Sequence, residues 1–220
     1  MVHRVKFHFD CVSPFSYIAF NVMRRYRTQW NMEVEWCPLS LSYVMKYAAN
    51  KAPMTNVHKG QYMMKELENV DKMFGVNFPG EFPFNTMSLM IFLFEVKKTR
   101  PDMVEGLAET ATNAIWVRGK AITSLDDVRA VLAPCFAGQE DLFNSLLERS
   151  ATPDARRGIN EASKELVETR GAFGFPWMIV TRESDGKETD IFGADRMEYL
   201  AANLDQQYRG PFADGITPRL

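Results

Sequence analysis

A serine followed by proline, at the end of an alternating segment, is the first place in this sequence to look for chemistry. The stretch Asp10-Cys11-Val12-Ser13-Pro14-Phe15-Ser16-Tyr17 follows an alternation of Val5, Phe7, Phe9 and Cys11 with Lys6, His8 and Asp10. Such alternation reads as a β-strand, and Ser-Pro reads as the cap and first residue of a helix. Ser13 is therefore expected at the carboxyl end of a strand and the amino end of a helix. Open α/β folds place ligands there, and the helix amides favour an anion. Thr152-Pro153 has the same hydroxyl-Pro start with no other chemistry nearby. The pair alone does not make a site.

Two further stretches carry ligand-binding residue types. Gly171-Ala172-Phe173-Gly174-Phe175-Pro176-Trp177 precedes an apolar, β-branched run. If Pro176 is cis and faces the first helix, the backbone of Phe175 is free to pair with a peptide ligand as another strand would. In Phe192-Gly193-Ala194-Asp195-Arg196-Met197, amides at a helix start suit a carboxylate, and Asp195 suits an ammonium group. The cysteines Cys11, Cys37 and Cys135 are odd in number and form no Cys-x-x-Cys, so they read as small apolar fillers in a reducing compartment. His3, His8 and His58 are scattered, and no metal site is expected.

The elements that must position these residues follow from periodicity. Met32, Val34 and Trp36 alternate with Glu33 and Glu35 as a second strand closed by Pro38. Residues 4–38 thus form a β-α-β unit with parallel strands. From 40 to 170 the pattern is helical: around Met63, Leu67 and Val70, at Met87 to Val96, at Val104 to Trp116, and from Thr152-Pro153 to Glu168. Ser124 and Asp127 make a capping box ahead of Val128, Val131 and Leu132. The Pro- and Gly-rich stretch from Phe78 to Pro83 is a loop. Strands return at Trp177 to Thr181 and Glu188 to Phe192 around an Asp185-Gly186 turn, and Asp195 is expected to open a last helix. The layout is an α/β thioredoxin-like domain with a large all-helical domain inserted between its β-α-β and β-β-α halves. The expected bounds are 1–42 with 171–220, and 43–170.

Composition narrows the function classes. The 220 residues are 46% hydrophobic and 25% charged with a net charge of -2, the balance of an ordinary globular protein without the basic excess that nucleic acid or anionic membrane attracts. The apolar stretch at Met87 to Val96 is too short to span a bilayer. The first residues enter a strand directly, without the charged and apolar regions of a signal peptide, so an intracellular protein is expected.

In combination these motifs resemble the kappa class of glutathione transferases, and more loosely the 2-hydroxychromene-2-carboxylate isomerases and DsbA-type oxidoreductases. The likeness runs along nearly the whole chain: Asp10 to Ser16, Asn50-Lys51-Ala52-Pro53, Lys59-Gly60-Gln61-Tyr62-Met63, Ala151-Thr152-Pro153, Gly171 to Pro176, and Phe192 to Glu198. It implies that Ser13 is the catalytic serine. It further implies that Pro14, Phe15, Asn50, Lys59, Phe175, Pro176, Ala194 and Asp195 surround glutathione, the co-substrate, with no permanently bound cofactor. A homodimer in mitochondria or peroxisomes, acting on a small hydrophobic electrophile, is implied as well. The chain departs from the family pattern at Ala194, where Ser is usual. Its ending, Pro218-Arg219-Leu220, resembles a peroxisomal tripeptide with Pro in place of a small residue.

The chemistry expected is stabilisation of a thiolate. A thiol with a pKa near ~8.5 must fall by ~2 units, or ~2.7 kcal/mol, to be mostly ionised at neutral pH. The helix start supplies roughly 0.3–2 kcal/mol and a hydroxyl hydrogen bond about 1.5–3. Both together suffice. Ser13 acts as a donor to sulfur, not as a nucleophile. Glutathione-dependent peroxide reduction is open to the same thiolate. So are two alternatives, an isomerase of aromatic substrates and a non-catalytic glutathione or lipid binder. A disulfide oxidoreductase would need cysteines where Ser13-Pro14-Phe15-Ser16 stands.

Overall fold

A computed structural model of the protein describes residues 2–74, 76–77 and 82–212. Part of the loop expected at 78–83, namely residues 78–81, and the terminal Pro218-Arg219-Leu220 lie outside the described residues. Strand β1 (His3–Phe9) leads into helix α1 (Pro14–Tyr26) and then β2 (Met32–Pro38). Helices α2 (Leu41–Tyr47), α3 (Val57–Phe74), α4 (Met87–Thr99), α5 (Val104–Trp116), α6 (Leu125–Leu132), α7 (Glu140–Ser150) and α8 (Pro153–Arg170) follow. Strands β3 (Trp177–Thr181) and β4 (Glu188–Phe192) and helix α9 (Met197–Asn203) complete the described chain.

The sheet order is β2-β1-β3-β4, with β1 and β2 parallel and the remaining pairs antiparallel. One face follows the alternation. Val5, Phe7 and Phe9 point to α1, where the Phe20 ring lies 4.6 Å from Trp36 and the Phe7 ring 5.3 Å from it. Burial there comes from large aromatic surfaces in tilted and edge contacts, the arrangement their quadrupoles favour. The core is continuous. It runs from these strands through Phe92, Trp116 and Phe136 of the helical stretch without a break.

The other sheet face is polar in sequence yet not fully open. His8 points to that side and is nonetheless buried, because Phe94 and Lys97 of α4 and Ala162 and Leu166 of α8 line the same cavity with it. Its Nδ1 lies 3.3 Å from the Trp177 carbonyl. Burial pushes its pKa down to about 4, since the charged imidazolium loses hydration that the Trp177 carbonyl and the Glu35 carboxylate replace only in part.

Register decides where the site forms. His8 pairs with Trp177 and Trp177 with Phe192, so the end of β1, the start of β3 and the end of β4 meet at one edge. Strand β2, parallel to β1, ends there too and hands the chain to α2. Segments 10–15, 40–50, 171–176 and 192–195 are therefore neighbours, although nearly 190 residues separate the first from the last.

Candidate active site

Ser13 is buried, 5% exposed, and caps α1: its Oγ accepts the Ser16 N–H at 3.1 Å. The same hydroxyl donates to the Phe175 carbonyl at 3.5 Å, a long contact for an O–H donor. The Phe175–Pro176 peptide is cis, as expected for this position. The Pro176 carbonyl in turn accepts the Gly193 N–H at 3.0 Å. A short chain of bonds thus ties the α1 cap to the start of β3 and the end of β4.

The turn that carries Ser13 is held by a residue to which the sequence assigned no role. Asp10, 3% exposed, accepts Val12 N–H at 3.0 Å, Leu41 N–H at 2.9 Å and the Thr86 hydroxyl at 2.7 Å. Burial pushes its carboxyl pKa up, against the pull of these three donors. One carboxylate joins the Ser13 turn, the start of α2 and the approach to α4. Its sequence signal is local: an Asp two residues before a turn amide is the pattern of an Asx turn. The helical stretch adds two anchors: the Trp116 indole donates to the Cys11 carbonyl at 2.9 Å, and the Cys11 N–H meets the Met90 sulfur at 3.4 Å.

The residues expected around a ligand fall into two adjoining cavities. Ser13, Pro14, Phe15, Asn50, Lys59 and Phe175 line one of about 370 Å³, which Lys51 also borders. Phe82 and Pro83, at the end of the Pro- and Gly-rich loop, line it as well, together with Leu41 and Met63 of the helical stretch. Ala194 and Asp195 line a second cavity of about 460 Å³, with Glu66 and Tyr208. Phe15, Phe175 and Phe192 form walls of both. Pro176 lines neither. Lys51 and Lys59 border the first cavity, and the carboxylates of Glu66 and Asp195 border the second.

Two residues already have partners within the protein. The Asn50 amide donates to the Phe173 carbonyl at 2.8 Å, bracing the loop before β3. Asp195 pairs with Arg196. The expectation that Asp195 opens the last helix is not met: α9 begins at Met197 with Arg196 at its cap position and no side-chain cap. The reason lies in Gly193, whose φ of +99° turns the chain so that Asp195 Oδ1 lies back over it, 2.6 Å from where a Cβ would stand.

None of the thiols is disposed for catalysis at this edge. All three cysteines are free, and burial drives the Cys11 pKa well above that of an ordinary thiol. Cys37 is pushed up to about 11 by burial, although the Lys97 ammonium, 2.9 Å away, pulls against the rise. Among the described residues no group of three or more His, Cys, Asp or Glu could hold a metal ion, and no helix is long and apolar enough to cross a membrane.

Comparison with known proteins agrees with this fold. The family model for a DsbA-like thioredoxin domain matches residues 4–205. Glutathione S-transferase kappa 1 of Rattus norvegicus is 31% identical, over 96% of this chain and 95% of its own length. Glutathione S-transferase kappa 1 of Homo sapiens is 30% identical, over 98% and 97%. Among solved structures, a 2-hydroxychromene-2-carboxylate isomerase superposes with a TM-score of 0.71 at 19% identity, over 92% of this chain and 94% of that one.

Proposed function

Because the chain belongs to the DsbA-like thioredoxin-domain family, and within it to the kappa-class glutathione S-transferases, we propose that it transfers glutathione to small electrophiles through a thiolate held by Ser13. One observation carries this reading. The Ser13 hydroxyl sits at the amino end of α1, on the wall of a cavity, and among the described residues it donates to the Phe175 carbonyl at a slack 3.5 Å. A hydroxyl so placed keeps its lone pair on the helix cap and turns its proton to an incoming sulfur at little cost.

Glutathione fits the polarity of the two cavities in one direction. Its cysteinyl backbone pairs with Phe175 at the shared wall. The glycyl carboxylate lies toward Lys51 and Lys59, with the Asn50-braced loop beneath. The γ-glutamyl ammonium lies toward Asp195, and its carboxylate toward the amides around Ala194. Bound this way, the thiol releases its proton to solvent. The sulfur then attacks the electrophilic carbon, a C–S bond forms, and the leaving group departs with its electron pair. The Ser13 hydrogen bond and the α1 amides favour the thiolate over the thiol, which raises the fraction of reactive sulfur. In this reading residues 1–42 and 171–220 hold most of glutathione, with Asn50, Lys51 and Lys59 of residues 43–170 at its glycyl end, and the rest of that stretch supplies the electrophile's side. A homodimer in mitochondria or peroxisomes is part of the same proposal, on the family resemblance.

Conjugation of 1-chloro-2,4-dinitrobenzene, followed beside calorimetric binding of glutathione, tests the reading. Turnover together with binding supports it. Binding without turnover leaves a glutathione binder, and the absence of both removes the proposal.

A further inference from the structure

The cavity lined by Ala194 and Asp195 ends in a wall that no helix or strand supplies. At Phe15 it adjoins the Ser13 cavity, and from there it runs along α1 to Val22 and along α3 from Glu66 to Phe74. Tyr208 and Pro211 line it as well. They belong to segment 206–211, which follows the turn at Asp205 after α9 and crosses the carboxyl end of α1. Four hydrogen bonds hold that segment there. The Tyr26 hydroxyl donates to the Gly210 carbonyl at 2.7 Å and accepts the Arg209 N–H at 3.0 Å. Arg25 donates to the Pro211 carbonyl at 2.9 Å, and the Trp30 indole to the Gln207 carbonyl at 3.3 Å. The Tyr208 ring lies 5.4 Å from that of Tyr26, which is fully buried.

A buried tyrosine hydroxyl that uses both its donor and its acceptor on one segment fixes where that segment lies. What the segment then does follows from electrostatics. The functional reading above, on which this inference rests, places the γ-glutamyl ammonium toward Asp195, and Glu66 borders the same cavity. An ion pair open to water contributes little, whereas the same pair shielded from water contributes several times more. We propose that residues 206–211 form the wall that keeps water from the γ-glutamyl arm of glutathione. Tyr208 thereby determines the preference for the tripeptide over a ligand without that arm, and Tyr26 is the positioning residue behind it.

Glutathione and cysteinylglycine carry the same thiol with and without the γ-glutamyl arm. Calorimetric titration with glutathione, and its displacement by the dipeptide, should show the wild type binding the tripeptide at least about thirtyfold more tightly. Tyr208→Ala should weaken glutathione about five- to thirtyfold and the dipeptide less than about twofold, so that the preference collapses. Tyr208→Phe, which keeps the ring, should recover most of that loss. Tyr26→Phe deletes the hydroxyl that holds Arg209 and Gly210 and leaves the ring in the core. It should weaken glutathione about three- to tenfold, again with little effect on the dipeptide, and it carries the test by itself if Tyr208→Ala does not fold. A merely structural role would weaken both ligands in equal measure, or neither, and either result overturns the wall. A wild type that binds the two ligands equally overturns the wall and leaves the functional reading standing. Failure of the wild type to bind glutathione at all is a different result: it overturns the functional reading and the wall with it.

Discussion

Replacement of Ser13 by alanine separates two roles that one hydroxyl plays. The oxygen accepts the Ser16 N–H at 3.1 Å, so Ser13→Ala removes a helix cap, worth about 1 kcal/mol of stability. The hydroxyl proton reaches the Phe175 carbonyl only at 3.5 Å, so losing that contact adds little. Against a bound thiolate the same proton makes a charge-assisted bond of about 1.5–3 kcal/mol, which is one to two pKa units at ~1.4 kcal/mol each. A bound thiol raised from ~6.5 to ~8 loses about tenfold of its thiolate at pH 7, and turnover should fall in step. Glutathione affinity should change less. The ultraviolet absorbance of the thiolate, followed against pH in both proteins, measures the shift directly. The chain supplies its own control, since Thr152 caps α8 in the same manner, accepting the Ala155 N–H at 3.2 Å. Thr152→Ala should lower stability by a similar amount and leave the thiol titration untouched. If Ser13→Ala behaves like Thr152→Ala in both measurements, Ser13 is a cap and nothing more, and the proposed mechanism fails.

Three other perturbations follow from the geometry. His8 titrates near 4 when folded against an ordinary 6.5, so its neutral form is favoured in the native state. Its contribution is intact above pH 6.5 and is lost as pH falls toward 4, about 2 kcal/mol by pH 5. Urea unfolding at pH 7.5 and 5 should show this drop in the wild type and a smaller one in His8→Gln; equal drops would refute the assignment. Gly193→Ala places a methyl group 2.6 Å from Asp195 Oδ1 at a φ of +99°, so it should cost about 1–3 kcal/mol of stability and weaken glutathione binding at least about tenfold. A crystal structure of that variant with Asp195 unmoved and affinity unchanged would contradict the role given to this turn. Ala194→Ser adds a hydroxyl beside the γ-glutamyl carboxylate and should tighten binding about two- to tenfold, whereas Asp195→Ala should weaken it. If titration calorimetry finds both neutral, the γ-glutamyl group does not bind there.

Much of the framework was legible because it is written locally. Period-two alternation located β1 and β2, an apolar β-branched run and the Asp185-Gly186 turn located β3 and β4, and hydroxyl caps located the starts of α1 and α8. The Ser124–Asp127 capping box stands at the start of α6 as expected. Helix α2 escaped notice because it is seven residues long and buries only Val44, so it leaves no apolar stripe to read. Helix α7 begins at Glu140, with Gln139 at its cap position and no capping side-chain bond, and so gave no start signal.

The site is a different matter. Its residue types were recognisable, but their meeting depends on the β1–β3–β4 register, which brings residues 13, 175 and 193 to one edge. No window of sequence contains that register. Tertiary packing alone decided that His8 is buried, that Asp10 gathers donors from three separate segments, and that Asp195 folds back over Gly193 instead of capping α9. Each of these is a polar group whose surroundings are supplied by chain far away in sequence. Periodicity reports which face of an element is apolar, whereas the fate of a polar side chain depends on which distant donors and surfaces close over it.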